Sequence, residues 1–145
     1  MLVPVLAPGV YACAAFLEDE HGLVRRLSWE SEGERDRRRA LPAGKHKLVG
    51  YRLLARDAAG VAWHVSAGGK TLRTLELAAG EETRLEIDPT IHVQRRLSGR
   101  SVSVAVQGEA ASGLSIYRDG KRIPLGYRLL GAQGEVLAEG PITYG

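Results

Sequence analysis

The sequence predicts an all-β protein, an antiparallel β-sandwich with little or no helix, and three observations lead to this prediction. Eighteen glycines and six prolines interrupt the 145 residues, and they recur at intervals of roughly 8–12 residues, the spacing of turns in sandwiches and barrels. Between these turns lie short runs in which apolar and polar residues alternate, which is the period of a half-buried strand. The dipeptide Asp119-Gly120 stands between two such runs and is a favoured hairpin turn.

These runs place strands along the whole chain. Asp119-Gly120 is expected to form a type I′ turn, because both of its central residues need positive φ, and this turn pairs Ile116 with Ile123 and Leu114 with Leu125. In chain order, the predicted strands cover residues 9–17, 22–29, 45–56, 61–67, 71–77, 82–88, 91–97, 101–107, 113–118, 121–130 and 135–143.

The pentapeptide Gly-Tyr-Arg-Leu-Leu occurs twice, at 50–54 and at 126–130, and predicts a hairpin unit that is used twice. Each copy is expected to pair with the strand that follows it, with its tyrosine and first leucine on the inner face and its arginine, Arg52 or Arg128, facing outward. The predicted cross-strand pairs are Tyr51–Val65, Leu53–Trp63 and Ala55–Val61 in the first hairpin, and Tyr127–Ala138 and Leu129–Val136 in the second.

A Leu-x-x-Gly pattern precedes three of the predicted strands, at Leu6–Gly9, Leu41–Gly44 and Leu77–Gly80. Each of these glycines is expected to adopt a turn conformation that residues with a β-carbon resist. The three copies start at nearly equal intervals along the chain, and they support the interpretation of a repeated strand–turn plan.

The dipeptide Asp88-Pro89 follows the third copy and predicts a break between two units. Residues 1–88 are expected to form a β-sandwich module. Residues 89–145 are expected to form a smaller β unit that packs on the first or continues it.

Two segments carry a resemblance to a known group of domains. The sequences LPAGKHKLVGYRLL at 41–54 and LELAAGEETRLEID at 75–88 resemble the closing half of carboxypeptidase regulatory-like and related transthyretin-like β-sandwiches. The usual opening strand and its Asp-x-x-Gly hairpin are not recognisable before residue 41, unless LEDEHGLVRRL at 17–27 takes that part. The resemblance implies an Ig-like or transthyretin-like fold and a non-catalytic, extracytoplasmic module.

Charge and composition exclude several classes of protein. The net charge is only +3, and the charged run at 28–40 is neutral overall, so we predict a solvated loop and no nucleic-acid partner. No run approaches the ~20 apolar residues of a membrane span. The single cysteine, Cys13, lies in an apolar stretch and is expected to be a buried, inert thiol.

No motif indicates catalysis, a metal or a cofactor. Gly69-Lys70-Thr71 ends like a phosphate-binding loop, but a strand follows it where such a loop needs a helix N-terminus. The four histidines lack metal-ligand spacing, and G-x-S-x-G and S-x-x-K are absent. We therefore predict that the protein is not an enzyme; a hydrolase with an unfamiliar site is the remaining alternative from that class.

The two tryptophans differ in their expected roles. Trp63 is expected to pack in the core, whereas Trp29 begins the charged loop and is expected to be partly exposed. An exposed aromatic ring beside polar groups is a common element of sugar- and protein-binding surfaces. The candidate ligand-binding residues are therefore Trp29, Arg37, Arg38 and Arg39.

Together these features predict a structural or protein-interaction module of a larger extracytoplasmic protein. Its partner is expected to be a protein or a cell-surface polymer. The alternative is a carbohydrate-binding module that uses Trp29 and the loop arginines.

Overall fold

The computed structural model describes residues 1–30, 37–87, 91–99 and 101–142. These residues contain no α-helix, and their sheets are not closed into a barrel, so the all-β prediction is confirmed. The strands are β1 (Leu2–Val5), β2 (Val10–Asp19), β3 (Val24–Glu30), β4 (Gly44–Arg56), β5 (Ala62–Leu77), β6 (Thr83–Glu86), β7 (His92–Ser98), β8 (Ser101–Gln107), β9 (Gly113–Arg118), β10 (Lys121–Arg122), β11 (Leu125–Leu130) and β12 (Val136–Ile142). A 3₁₀ turn covers Glu109–Ala111.

The main sheet has six antiparallel strands in the order β10-β9-β5-β4-β2-β3. Three two-stranded sheets accompany it: the parallel pair β1-β6 and the antiparallel pairs β7-β8 and β11-β12. Strand β9, from the C-terminal part of the chain, pairs with β5 along its whole length. The predicted break at Asp88-Pro89 lies outside the described residues, and the main sheet contains strands from both sides of it.

One face of the main sheet carries the core, because alternate side chains of a strand point to the same side. Tyr51 and Leu53 of β4 share this face with the fully buried Leu114 of β9, which lies on the other side of β5. The small sheet β1-β6 adds Leu2 and Leu85 to the same cluster. This shared core joins the main sheet and the β1-β6 pair into one packed body.

The register predicted for the first hairpin is wrong by two residues. Tyr51 lies opposite Ala67, Leu53 opposite Val65 and Ala55 opposite Trp63, so each predicted partner is displaced along β5. The turn closes between Asp57 and Val61, where the Asp57 Oδ1 atom accepts hydrogen bonds from the backbone N–H groups of Ala59 and Val61. A shift of two keeps every side chain on its predicted face, and it places His64 opposite Leu54.

The second hairpin shows the same displacement. Tyr127 lies opposite Gly140 and Leu129 opposite Ala138, so the predicted pairs are wrong here too. The loop is closed by a hydrogen bond of 2.8 Å from the Gly131 N–H group to the Glu135 carbonyl, and a bulge follows Leu129. Turn geometry, not the apolar pattern, sets the register in both hairpins.

The Asp119-Gly120 turn is confirmed, with φ angles of 48° and 74°. The Ile123 N–H group donates to the Ile116 carbonyl at 3.0 Å, as the predicted register requires. The ladder stops at Arg122, however, and Leu125 pairs with Ile142 of β12, so the prediction that Leu125 pairs with Leu114 is wrong.

Some of the other predicted turns and strand bounds are confirmed and others are wrong. All three Leu-x-x-Gly glycines have positive φ, between 78° and 131°, as predicted. Strand β1 was not predicted, and the two strands predicted at 61–67 and 71–77 are one long strand, β5. Glycines at its centre suggested a turn, but Gly68 lies opposite Gly50, where an added β-carbon would come within 3.0 Å of the Ala67 carbonyl. Gly50 and Gly68 therefore serve close packing of the backbones, whereas Gly69 has a φ of 87° and lies in the bulge where the pairing with β4 shifts.

The Asp57 turn predicts a specific pH dependence of stability. The Trp63 Nε1–H group donates to Asp57 Oδ2 at 3.0 Å, and this bond, with those from the turn backbone, lowers the pKa of Asp57 below its ordinary value of 3.8. A carboxylate with a lowered folded-state pKa contributes stability that is present above the unfolded-state pKa and is lost as the pH falls through the folded-state pKa. We expect Asp57→Asn to reduce stability at pH 7 and to flatten its decline in acid, measured by urea unfolding from pH 7 to about pH 3. Parallel pH profiles for the two proteins would contradict this.

Candidate interaction surface

Strands β7 and β8 form a two-stranded sheet with one apolar face. Directly opposed residues share a face, and this face carries the pairs Val93–Val106, Arg95–Val104 and Leu97–Val102. The other face carries polar residues, and Gln94, Arg96 and Ser103 there line a groove of about 590 Å³. The hairpin is therefore amphipathic in the same way as a strand pair that covers a core.

The apolar face of this hairpin is covered only at its base. Val106 is buried against the core, but Val93 and Leu97 are 67% and 72% exposed. All seven residues of β7 are exposed. A two-stranded sheet is marginally stable in water when its apolar face has no cover.

The second pentapeptide copy gives a direct comparison of a covered face and an uncovered one. Tyr51 and Leu53 of the first copy are 1% and 4% exposed, whereas Tyr127 and Leu129 of the second are 38% and 41% exposed. The same tyrosine and leucine thus line the core in β4 and face solvent in β11. Arg52 and Arg128 both face outward, as predicted, and Arg128 forms an ion pair of 3.1 Å with Glu139.

A second repeat, a tetrapeptide, also has one covered copy and one exposed copy. The sequence Arg-Arg-Leu-Ser occurs in β3 at 25–28 and in β7 at 95–98. Leu27 packs against the core, whereas its counterpart Leu97 is the most exposed of the large apolar side chains that the structure describes. Each hairpin beyond residue 91 therefore exposes apolar side chains of a repeated sequence, and in the main sheet the other copy of that sequence has these side chains covered.

Trp29 does not occupy the exposed position that the sequence predicted. It is 1% exposed on the inner face of β3, and its Nε1–H group donates to the Arg37 carbonyl at 2.6 Å. The expectation of a partly exposed ring is wrong, because Trp29 lies opposite Cys13 on the face that the core covers. A ring in this position has no free face on which a sugar can stack.

Two of the predicted arginines, Arg37 and Arg39, lie next to Trp29 and form hydrogen bonds with backbone or side-chain groups there. Arg39 forms a two-way backbone bridge with Leu2, and its guanidinium group donates to the Ser28 carbonyl at 2.8 Å and lies 5.8 Å from the centre of the Trp29 ring. The structure thus brings Trp29, Arg37 and Arg39 together, with Arg38 exposed between the two arginines. Their contacts close the edge of the core.

A second shallow cavity, of about 530 Å³, lies on the outer face of the main sheet. Small residues form its floor, because Gly68 and Ser66 of β5 lie beside Gly113 and Ser115 of β9. Arg52 lies at its margin. Phe16 and Lys70 also line this cavity, and none of its lining residues belongs to the exposed large apolar side chains of the described chain.

Cys13 is buried, and its burial raises the pKa of the thiol to about 12. At pH 8 about one molecule in 10⁴ therefore carries the reactive thiolate. We expect no measurable alkylation of the native protein by iodoacetamide at pH 8 over one hour, and complete alkylation in 8 M urea, measured by mass spectrometry. Rapid alkylation of the native protein would contradict the placement of Cys13 in the core.

The other candidate reactive groups are distributed over separate elements. His64 stacks on Tyr117 with ring centres 5.2 Å apart, and burial lowers the pKa of its imidazole. His46 is buried, and its Nε2 atom lies 3.0 Å from the Pro42 carbonyl. Within the described ranges, no three His, Cys, Asp or Glu side chains are grouped so that they could hold a metal ion.

Comparisons with known proteins identify no relative: no family model, curated protein or solved structure matches the chain. Among the described residues, no helical segment has the length and hydropathy needed to cross a lipid bilayer.

The sequence reasoning missed the hairpin residues with the greatest apolar exposure, including Val93 and Leu97. One signal was available. Residues 91–107 contain Arg95, Arg96 and Arg100 and no acidic residue, whereas the arginines proposed from the charged loop directly follow a stretch, 30–36, that contains four acidic residues. A count of acidic neighbours would have ranked this segment above Arg37, Arg38 and Arg39.

Proposed function

We propose that the protein is a non-catalytic protein-interaction module that docks on a partner through the hairpins β7-β8 and β11-β12. One observation carries the proposal. Of the thirteen large apolar side chains exposed among the described residues, eight lie on these four strands: Val93, Leu97, Val102, Tyr127, Leu129, Leu130, Val136 and Leu137.

The physical argument is the cost of leaving such faces in water. Burying a large aliphatic side chain is favourable by about 1.5–3 kcal/mol, and contiguous exposed apolar patches on soluble proteins mark interaction sites. The exposed Tyr127 and the exposed pair Leu97–Val102 lie within antiparallel ladders. Their backbones are thus already arranged for a partner, which reduces the ordering cost of binding.

Two further properties belong to the proposal. We place the protein among Ig-like or transthyretin-like sandwiches outside the cytoplasm, and the similarity of residues 41–54 and 75–88 to those modules supports this. The carbohydrate-binding alternative is left aside, because it depended on an exposed Trp29 and the ring is buried.

Site-specific photo-crosslinking in the source cells tests the proposal. A photoreactive amino acid is placed at Leu97 or Leu130, both exposed on the hairpins, or at the exposed Thr74 of β5 as a matched control. We expect light-dependent adducts to a second protein from positions 97 and 130 and none from position 74. The absence of adducts from both hairpins would exclude them as the docking surface.

A further inference from the structure

Strand β7 is an edge strand with no cover. Within the part of the chain that the structure describes, it pairs with β8 alone, and all seven of its residues are exposed. Its neighbour β8 lies nearer the body of the molecule, since the β8 residue Val106 joins the core. The backbone groups on the outer side of β7 thus form a template on which another strand can pair.

The hairpin segment also carries the charge excess of the protein. The chain has 20 lysines and arginines against 17 aspartates and glutamates. Residues 91–107 contribute three arginines and no acid, so the rest of the chain is balanced and this segment accounts for the net charge of +3. Among the described residues, neither Arg95 nor Arg96 forms an ion pair, in contrast to Lys45 with Glu76 and Lys47 with Glu18.

Arg95 and Arg96 point to opposite faces of the strand, because they are consecutive. By register Arg95 lies between Val93 and Leu97 on the apolar face and Arg96 lies on the other face, and both arginines contribute to the lining of the groove. An added strand that alternates aliphatic and acidic residues would place its aliphatic side chains beside Val93 and Leu97. Its carboxylates would lie within reach of Arg96.

Charge disfavours a second copy of this chain as the added strand. Arg95 is the central residue of β7 (His92–Ser98). A symmetric antiparallel pairing of two β7 strands would therefore set Arg95 against Arg95 of the second copy, and like charges directly opposite each other are destabilising. The complementary occupant has the opposite charge.

We propose that β7 is a docking edge for an extended acidic segment of another protein, one with alternating aliphatic and acidic residues that adds to the sheet as a third strand. The inference rests on the proposed function and names the chemistry of the partner. Backbone hydrogen bonds along β7 supply the binding energy that does not depend on sequence. Arg96 lies on the face of the partner's carboxylates and selects acidic segments over basic ones, while Arg95 adds positive charge to the same edge.

A designed peptide provides the probe. A fluorescein-labelled ten-residue peptide that alternates valine and glutamate is titrated with the full chain at 50 mM and 500 mM salt, and binding is followed by fluorescence anisotropy. The matched peptide has lysine in place of each glutamate. We expect the acidic peptide to bind at least about tenfold more tightly than the basic one, with the difference reduced at high salt.

The chain itself offers a matched control for the variants. The double variant Arg95→Glu/Arg96→Glu is expected to abolish binding of the acidic peptide. The variant Arg25→Glu/Arg26→Glu changes the same dipeptide on β3, the edge strand of the main sheet, and is expected to bind as the wild type does. If the charge reversal disturbs folding, judged by circular dichroism, the milder Arg95→Ser/Arg96→Ser variant takes its place.

Three results would overturn the inference. The first is peptide binding that does not depend on charge, shown either by equal binding of the acidic and basic peptides or by undiminished binding of the acidic peptide to the β7 variants. The second is peptide-independent binding to vesicles of phosphatidylserine and phosphatidylcholine, which would assign β7 to a lipid surface. The third is a dimer in sedimentation equilibrium that the β7 reversal dissociates. Crosslinks from Leu97 with no peptide binding would reject only the partner chemistry, whereas the absence of both would reject the docking function as well.

Discussion

Replacing Trp29 by alanine is expected to lower the free energy of unfolding by about 3–5 kcal/mol, the range for a large aromatic side chain in a packed core. Trp29 is among the largest fully buried side chains, and it lies opposite Cys13 where β2 and β3 meet. The substitution also removes the donor that the Arg37 carbonyl accepts at 2.6 Å. Urea unfolding followed by circular dichroism measures the change.

Two variants serve as controls for this result. Trp29→Phe keeps most of the ring volume but removes the Nε1–H donor, so it is expected to cost less than the alanine variant. Trp63→Ala removes a ring that is only partly buried, and it is also expected to cost less. A loss below about 1 kcal/mol in the free energy of unfolding for Trp29→Ala would contradict the burial of Trp29 in the core.

Replacing Leu114 by alanine is expected to lower the free energy of unfolding by about 2–5 kcal/mol. Leu114 is fully buried on β9 and lies opposite Ala67 of β5. The exposed Leu137 of β12 provides the control, and Leu137→Ala is expected to change stability by no more than about 0.5 kcal/mol. Differential scanning calorimetry is the second measurement, because it resolves separate transitions.

The Leu114 variant also tests how the two predicted units are related. If β9 is an integral part of the main sheet, the wild type unfolds in one transition that includes the sheet, and the variant moves that transition as a whole. The opposite result would be two calorimetric transitions in the wild type, with Leu114→Ala shifting only the transition of residues 89–145. That result would mean that the C-terminal unit folds independently.

The sequence predicted the strand content well because alternation and turn residues are local signals. The dipeptide Asp119-Gly120 by itself predicts the turn, and the observed φ angles agree. Register was harder, since it depends on which backbone groups close a loop. Asp57 and Glu135 accept hydrogen bonds from loop backbone groups, and these contacts displaced both predicted registers by two residues without exchanging the faces.

The site predictions failed for a physical reason that Trp29 illustrates. Its neighbours in sequence are polar and charged, so the local context indicated exposure. Its burial comes from long-range packing, with Leu2 and Arg39 bridging across the edge of the core, and no local pattern contains that information. The repeated pentapeptide makes the same point, because one sequence gives a buried Tyr51 and an exposed Tyr127.

The most direct test of the docking surface is the accessibility of the hairpins in a native extract. Leu97→Cys, Leu129→Cys and the control Thr74→Cys are labelled with a maleimide, both in the purified protein and in a native extract of the source cells. The natural Cys13 contributes no background, because burial raises the pKa of its thiol to about 12. If a partner occupies about nine-tenths of the molecules, positions 97 and 129 label about tenfold more slowly in the extract, while position 74 labels at the same rate. Equal rates in both preparations at all three positions would mean that the hairpins have no partner, and would contradict the proposed function.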